Sequence, residues 1–133
     1  MKSGVTLFVL FSLFISQYAQ AESLVVYSGR KDKFIKPVVT EFTKETGIKV
    51  LLHSGSSTSL LNKLKLEGSN SEADLYISND AGNLEKGKEM NLFTPVAAGI
   101  AKAIPKQLRA ADNSWVGLSA RARVLVVNTN DKS

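Results

Sequence analysis

The segment SLVVYSGRKDKFIKPVVTEFTKETGIKVLLHS, residues 23–54, decides the fold class. It begins with a short apolar and β-branched run, residues 23–27, which ends in the turn-forming pair Ser28-Gly29 and is typical of a buried parallel strand. Apolar residues then recur at helical spacing between Phe34 and Phe42. A second apolar run, residues 48–53, follows. The segment therefore predicts a strand-helix-strand unit.

The helix of this unit has recognisable ends. Asp32 is a residue type that favours the N-cap position, so we expect the helix to begin there and to continue to Thr46. Gly47 is expected to stop it, because glycine adopts the left-handed conformation at little cost. Pro37 has no amide hydrogen, so we expect an irregular first turn.

The same alternation of strands and helices continues along the chain. A serine-rich loop, residues 54–59, precedes a second amphipathic helix that stops at Gly68. Residues 73–77 are predicted to form a third strand, and residues 82–90 a third helix that Gly87 weakens. This order predicts right-handed crossovers and an α/β fold, with a mostly parallel sheet and helices on both faces.

Weaker signals follow toward the end of the sequence. A helical patch is predicted at residues 97–103, and two strands at residues 115–119 and 124–128. Arg121 and Arg123 lie between the two strands and, at a spacing of two, share one face of an extended segment. Two like charges on one face of an inner strand are costly unless an anion meets them, so both are candidate anion-binding or cleft residues.

The first 21 residues have the pattern of an export signal. Lys2 supplies the positive start, residues 5–15 form the apolar run, and Ala19-Gln20-Ala21 has the small residues of a cleavage site. The apolar run is too short to cross a bilayer, which requires about 20 apolar residues. We therefore expect cleavage after Ala21 and a soluble, periplasmic product.

The composition excludes several classes of protein. With no cysteine, neither a disulfide framework nor a lipidated cysteine is available. The net charge of +5 includes Lys2 of the leader, and the remaining lysines are scattered among acids without interleaved aromatic residues, which argues against nucleic-acid binding. His53 is the only histidine, and no nucleophile elbow is present, so we expect a structural role for His53 and no enzymatic activity.

Three loops leave the carboxyl ends of the predicted strands, where open α/β sheets bind their ligands. The first is basic and suits a carboxylate, a carbonate or a phosphate, although an ordinary solvated turn has the same composition. The second and third place hydroxyl and carboxyl groups at helix N-termini, where they either take part in ligand binding or simply cap the helix. The candidate anion-binding or cleft residues of these loops are Arg30, Lys31, Ser56 and Asp80.

Four segments, taken in order, resemble the periplasmic ferric-iron-binding proteins. They are LVVYSGR at residues 24–30, EFTKETGIKV at 41–50, ADLYIS at 73–78 and WVGLSARAR at 115–123. The resemblance covers essentially the whole mature chain. It implies the first lobe of a type II periplasmic-binding-protein clamshell, which holds ferric iron and an anion such as carbonate or phosphate between two lobes. It also implies delivery to the permease of an ABC importer.

The resemblance also bears on metal ligation. In the family, tyrosines of the second lobe hold the iron, sometimes with a histidine of the first loop and a glutamate after the third strand. Those two positions hold Lys31 and Asn79 here, and the mature chain has only Tyr27 and Tyr76, both within predicted strands. We therefore expect no metal ligand in this chain. Some branches of the family bind the anion through arginine, which again points to Arg30, Arg121 and Arg123.

The resemblance leads us to expect an incomplete first lobe in residues 22–123 and, in residues 124–133, the start of a crossover to a second lobe that this sequence does not contain. We expect a monomer that binds a small charged solute. An oxyanion such as molybdate or sulfate, or a polyamine, is the alternative solute that the hydroxyl-rich loop leaves open. A short stand-alone structural or interaction module is the alternative of another class.

Overall fold

The computed structural model describes residues 23–121 and 124–130. The predicted leader, residues 1–21, and Arg123 lie outside the described residues. The elements are β1 (Ser23–Ser28), α1 (Asp32–Thr46), β2 (Lys49–Ser54), α2 (Ser57–Glu67), β3 (Leu75–Ile77), α3 (Ala81–Glu89) and α4 (Ala98–Lys102), with 3₁₀ turns at Gly68–Asn70 and Lys106–Leu108. The predicted α/β class is confirmed.

The three strands form one parallel sheet in the order β2-β1-β3. The crossover from β1 to β2 and the crossover from β2 to β3 run in opposite directions across the sheet. Since such crossovers are right-handed, α1 and α2 cover opposite faces. Side chains alternate along β1, so Tyr27 and Val26, which are 2% and 3% exposed, point to opposite faces.

The core lies on the α2 side of the sheet. Tyr27 packs with Leu60 and Leu64 of α2, and partly buried apolar side chains, Phe93 among them, complete this cluster. Gly87 lets α3 approach closely, because a Cβ atom at this position would lie 2.3 Å from Cζ of Phe93. The glycine that weakens α3 by its propensity thus makes room for an aromatic ring.

The ends of α1 differ slightly from those expected. Lys31 occupies the N-cap position without a side-chain hydrogen bond, and Asp32 is instead the first residue of the helix. The carboxylate of Asp32 accepts from Ser54 Oγ at 2.6 Å and pairs with Lys36 at 2.7 Å, so other partners engage it. Gly47 ends the helix as predicted, with φ at 74°. The helix is continuous through Pro37.

The two strands predicted near the end of the sequence are wrong. Residues 115–117 form a single antiparallel bridge, between Arg109 and Val116, and residues 124–128 form no strand. A strand needs a neighbour that pairs with its backbone groups, and within the described residues β1, β2 and β3 pair only with one another. The side chains of residues 124–127 are 73–95% exposed.

None of the helices in the described part of the chain has the length and apolar character that a bilayer crossing requires.

Candidate functional site

The three loops that follow the strands meet at one edge of the sheet. We call residues 28–31, 54–57 and 78–80 the strand-end junction. The backbone N–H of Gly29 donates to the carbonyl of Ile77 at 2.7 Å, and the N–H of Gly55 donates to the carbonyl of Ser28 at 3.1 Å. Backbone pairing therefore continues past the strands and holds the loops in register.

Ser57 and Asn79 connect these loops further. The Oγ of Ser57, a residue that is 7% exposed, accepts from the N–H of Asn79 at 3.0 Å. The side-chain amide of Asn79 donates to the carbonyl of Gly29. A Cβ atom on Gly29 would lie 2.1 Å from Ser57 Oγ, so this close approach requires glycine.

Ser56 is a helix cap. Its Oγ accepts from the N–H of Ser59 at 3.0 Å at the start of α2, and the hydroxyl of Ser59 donates back to the carbonyl of Ser56 at 3.0 Å. Ser56 thus caps α2, which was one of the two interpretations of its sequence position, and its hydroxyl also donates to Oγ of Ser59 at 2.9 Å.

Asp80 caps α3 in the same way. Its carboxylate accepts from the N–H of Asn83 at 2.8 Å and from the side-chain amide of Asn83 at 2.9 Å. The backbone N–H of Asn83 is the largest of the influences that hold the pKa of Asp80 below its usual range. Asp80 therefore brings a negative charge to the strand-end junction at neutral pH.

Arg30 and Lys31 supply the positive charge of the strand-end junction. Arg30 is half-buried as a residue, and its N–H donates to Oγ of the fully buried Ser28 at 3.2 Å. Its guanidinium carbon lies 5.7 Å from the centre of the Phe34 ring. Lys31 is exposed. Neither residue forms an ion pair within residues 23–121 and 124–130.

Arg121 does not lie where a strand would have placed it. The residue is exposed and belongs to no strand, and no hydrogen bond or ion pair joins it to the strand-end junction in the described part of the chain. The expected shared face of Arg121 and Arg123 depended on the strands that are not formed.

Tyr27 and Tyr76, the two tyrosines of the described residues, have internal hydrogen-bond partners. The hydroxyl of Tyr27 donates to the carboxylate of Glu67 at 3.0 and 3.1 Å, and that of Tyr76 donates to the carbonyl of Ser57 at 2.7 Å. Burial raises the pKa of Tyr76 and so disfavours the phenolate that a metal requires. The described residues contain no group of three or more histidines, aspartates or glutamates able to hold a metal ion.

His53 has a structural position. It is the penultimate residue of β2 and pairs with Tyr27, and the centres of the two rings lie 5.2 Å apart. Lys31 and Asn79 supply no anionic donor for a metal either.

The residues that connect the strand-end junction, Ser28, Gly29 and Ser57, were not singled out from the sequence as ligands. A glycine soon after the first predicted strand was the only local signal for them.

Comparison with known proteins gives the family context. A family model described as bacterial extracellular solute-binding protein matches residues 27–131. The iron uptake protein A1 of Synechocystis is 36% identical over 110 residues, which cover 82% of this chain and 31% of that protein. The Fe(3+)-binding periplasmic protein of Serratia marcescens is 34% identical over 116 residues, covering 86% of this chain and 34% of that protein.

A solved structure is also similar. A Trichodesmium protein in complex with iron and citrate ligands superimposes with a TM-score of 0.67 and 33% identity, over 71% of this chain and 30% of that one. These similarities confirm the resemblance that the sequence motifs indicated. The chain spans about a third of the length of the curated relatives that it matches.

Proposed function

We propose that this chain, which belongs to the family of bacterial extracellular solute-binding proteins, forms one wall of a cleft that receives ferric iron together with an anion. The wall is the strand-end junction, and its anion-binding residue is Arg30, with Lys31 beside it. Ferric iron is the solute that is carried, and its protein ligands belong to an opposite wall.

One observation carries this proposal. The strand-end junction is held together by its own hydrogen bonds, while Arg30 has no carboxylate partner among the described residues. A guanidinium presents paired N–H donors that match a carboxylate, a carbonate or a phosphate. Its position outside the carboxyl ends of parallel strands is where such sheets bind ligands.

The relatives support iron as the solute. Two are named for iron uptake or for binding ferric iron, and the Trichodesmium protein is bound to iron and citrate, which is itself a carboxylate anion. The hydroxyls of Tyr27 and Tyr76 both donate to internal acceptors, so the proposal assigns anion contacts, and not metal contacts, to the strand-end junction.

The family also supports an extracytoplasmic location. We extend this to export into the periplasm after cleavage behind Ala21 and to delivery of the solute to an ABC permease by a monomer. In this proposal residues 22–123 belong to a first lobe and residues 124–133 to the crossover into a second.

The anion part of the proposal can be tested by NMR titration with inorganic phosphate. We expect phosphate to shift the backbone signals of Arg30 and Lys31, and we expect Arg30→Ala to weaken binding about 10- to 100-fold, because hydrogen bonds to charged groups are strong. Lys49→Ala is the matched control, since it removes one positive charge at the amino end of β2, the opposite end of the sheet. Equal losses in both variants, or no binding by the unmodified protein, would contradict the proposal.

The alternative solutes give a different result in calorimetry. Heat on addition of molybdate, sulfate or a polyamine, with none for ferric iron plus an anion, would favour one of these alternative solutes over ferric iron. The oxyanion alternative was based on the hydroxyl-rich loop, residues 54–59. Internal hydrogen bonds of Ser56 and Ser57 in this loop argue against it.

A further inference from the structure

Asn79 joins all three loops of the strand-end junction. Its backbone N–H donates to Oγ of Ser57, which opens α2, and its side-chain amide donates to the carbonyl of Gly29, which follows β1. Asn79 itself follows β3. Within residues 23–121 and 124–130, no other residue forms hydrogen bonds from one of these loops to both of the others.

The orientation of this amide follows from chemistry. The carbonyl oxygen of Gly29 can only accept, so the nitrogen of the asparagine side chain must face it, and not the oxygen. An aspartate at the same position would place a second acceptor against that carbonyl. The bond to Gly29 would be lost, and the carboxylate would add to the negative charge of Asp80 one residue away.

The peptide that Asn79 holds is the one that leads into Arg30. Gly29 contributes its N–H to the carbonyl of Ile77 and its carbonyl to Asn79, so both of its backbone polar groups are fixed. Gly29 also packs so closely against Ser57 that a Cβ atom at this position would lie 2.1 Å from Ser57 Oγ. A change at residue 79 is therefore transmitted to the backbone from which the guanidinium extends.

We propose that Asn79 is a positioning residue, whose side-chain amide fixes the Gly29 peptide so that Arg30 can receive an anion, and that the amide is required here because a carboxylate would both release the peptide and repel that anion. The statement about the peptide stands on the hydrogen bonds alone. The statement about the anion rests on the proposed function.

The experiment compares Asn79→Asp, Asn79→Ala and the unmodified protein by NMR. The first readout, without phosphate, is the protection of the Gly29 and Arg30 amides against hydrogen exchange. We expect about tenfold lower protection in both variants near pH 7, as for the loss of one hydrogen bond. As the pH is lowered to about 4, protection should recover in Asn79→Asp alone, because a protonated carboxyl regains an O–H donor.

The second readout is the dissociation constant for inorganic phosphate near pH 7. We expect Asn79→Asp to raise it about tenfold and Asn79→Ala to raise it less, because only the former adds a like charge. Asn70→Asp is the matched control: the same charge change, at an exposed residue beyond the C-terminus of α2 and thus at the opposite end of the sheet, should leave both readouts unchanged.

The outcomes separate the two proposals. Unchanged protection in both Asn79 variants, or recovery at low pH in Asn79→Ala as well, overturns the positioning role. An equal phosphate affinity in Asn79→Asp and the unmodified protein overturns the requirement for an amide. Failure of the unmodified protein to bind phosphate overturns the proposed anion site and the anion half of this inference, while the exchange data still decide the positioning half.

Discussion

Gly29 lies where a side chain would collide with a neighbouring loop. Its backbone is not in the left-handed region, so the need for glycine arises from space and not from conformation. A side chain there would meet the Oγ of Ser57 at 2.1 Å and its Cα at 3.0 Å, and the latter atom cannot rotate away. The close contact between the first and second loops therefore requires a residue without a Cβ atom at position 29.

We expect Gly29→Ala to lower the free energy of unfolding by about 1–3 kcal/mol, the usual cost of overpacking. Urea denaturation followed by circular dichroism measures it. Gly99→Ala in α4 is the control, because a Cβ atom there meets nothing within 4 Å, and its effect should stay within about 0.5 kcal/mol of zero or be slightly stabilising. Similar losses in the two variants would show that the contact with Ser57 is not the cause.

Residue types alone predicted the caps better than the contacts between loops. Ser56 and Asp80 were recognised as residues that either cap a helix or bind a ligand, because capping depends on neighbours within one turn. The roles of Ser57 and Asn79 depend on hydrogen-bond and packing partners in other loops, chiefly Gly29. No local sequence pattern predicts such contacts.

At the scale of elements, the C-terminal end of α2 is tied to the central strand through Glu67. Its carboxylate accepts from the hydroxyl of Ser71 at 2.7 Å and from that of Tyr27, and it pairs with Lys63 at 3.5 Å. The Ser71 hydroxyl is the largest of the influences that lower the pKa of Glu67, and the Tyr27 hydroxyl and Lys63 also lower it. The folded protein thus favours the ionised carboxyl.

A lowered pKa in the folded state stabilises the protein above the ordinary pKa of glutamate, about 4.3, and this contribution is lost as the pH falls through the lowered value. We therefore expect Glu67→Gln to lower the free energy of unfolding most at about pH 7 and progressively less below about pH 4. Urea denaturation at several pH values measures this difference. Glu72→Gln, at an exposed neighbour, should show a small difference at every pH; a pH-independent effect at Glu67 would contradict the linkage.

The elements that the sequence predicted well are those whose signal is local. The first two strands and the first three helices lie within a few residues of the expected bounds, because alternation, apolar periodicity and stopping glycines are properties of each segment. The third strand is shorter than predicted. Asp74, which precedes it, is joined to β1 by two hydrogen bonds: its N–H donates to the carbonyl of Val25, and its carboxylate accepts from the N–H of Val25. Residues 115–119 and 124–128 have strand composition, but pairing, which is not local, decides whether a strand exists.

At the scale of the molecule, the described residues contain no cluster of histidines, aspartates or glutamates that could hold a metal ion. We expect the chain from residue 22 onward, mixed with ferric iron and bicarbonate, to develop no tyrosinate-to-iron charge-transfer absorbance, because Tyr27 and Tyr76 donate to internal acceptors. Visible absorbance spectroscopy measures it. An absorbance band that is present in the unmodified chain and absent in Tyr76→Phe would contradict the assignment of iron ligands to an opposite wall.

Trp115 is an intrinsic fluorescence probe. It is the only tryptophan of the chain, and its indole N–H donates to Glu85 of α3 at 2.9 Å from the turn that the Arg109–Val116 bridge closes. Its fluorescence therefore reports the docking of that turn on α3, whereas far-ultraviolet circular dichroism reports the backbone of the sheet and helices. Detachment of the turn can thus be followed separately from melting of the lobe, with no label attached.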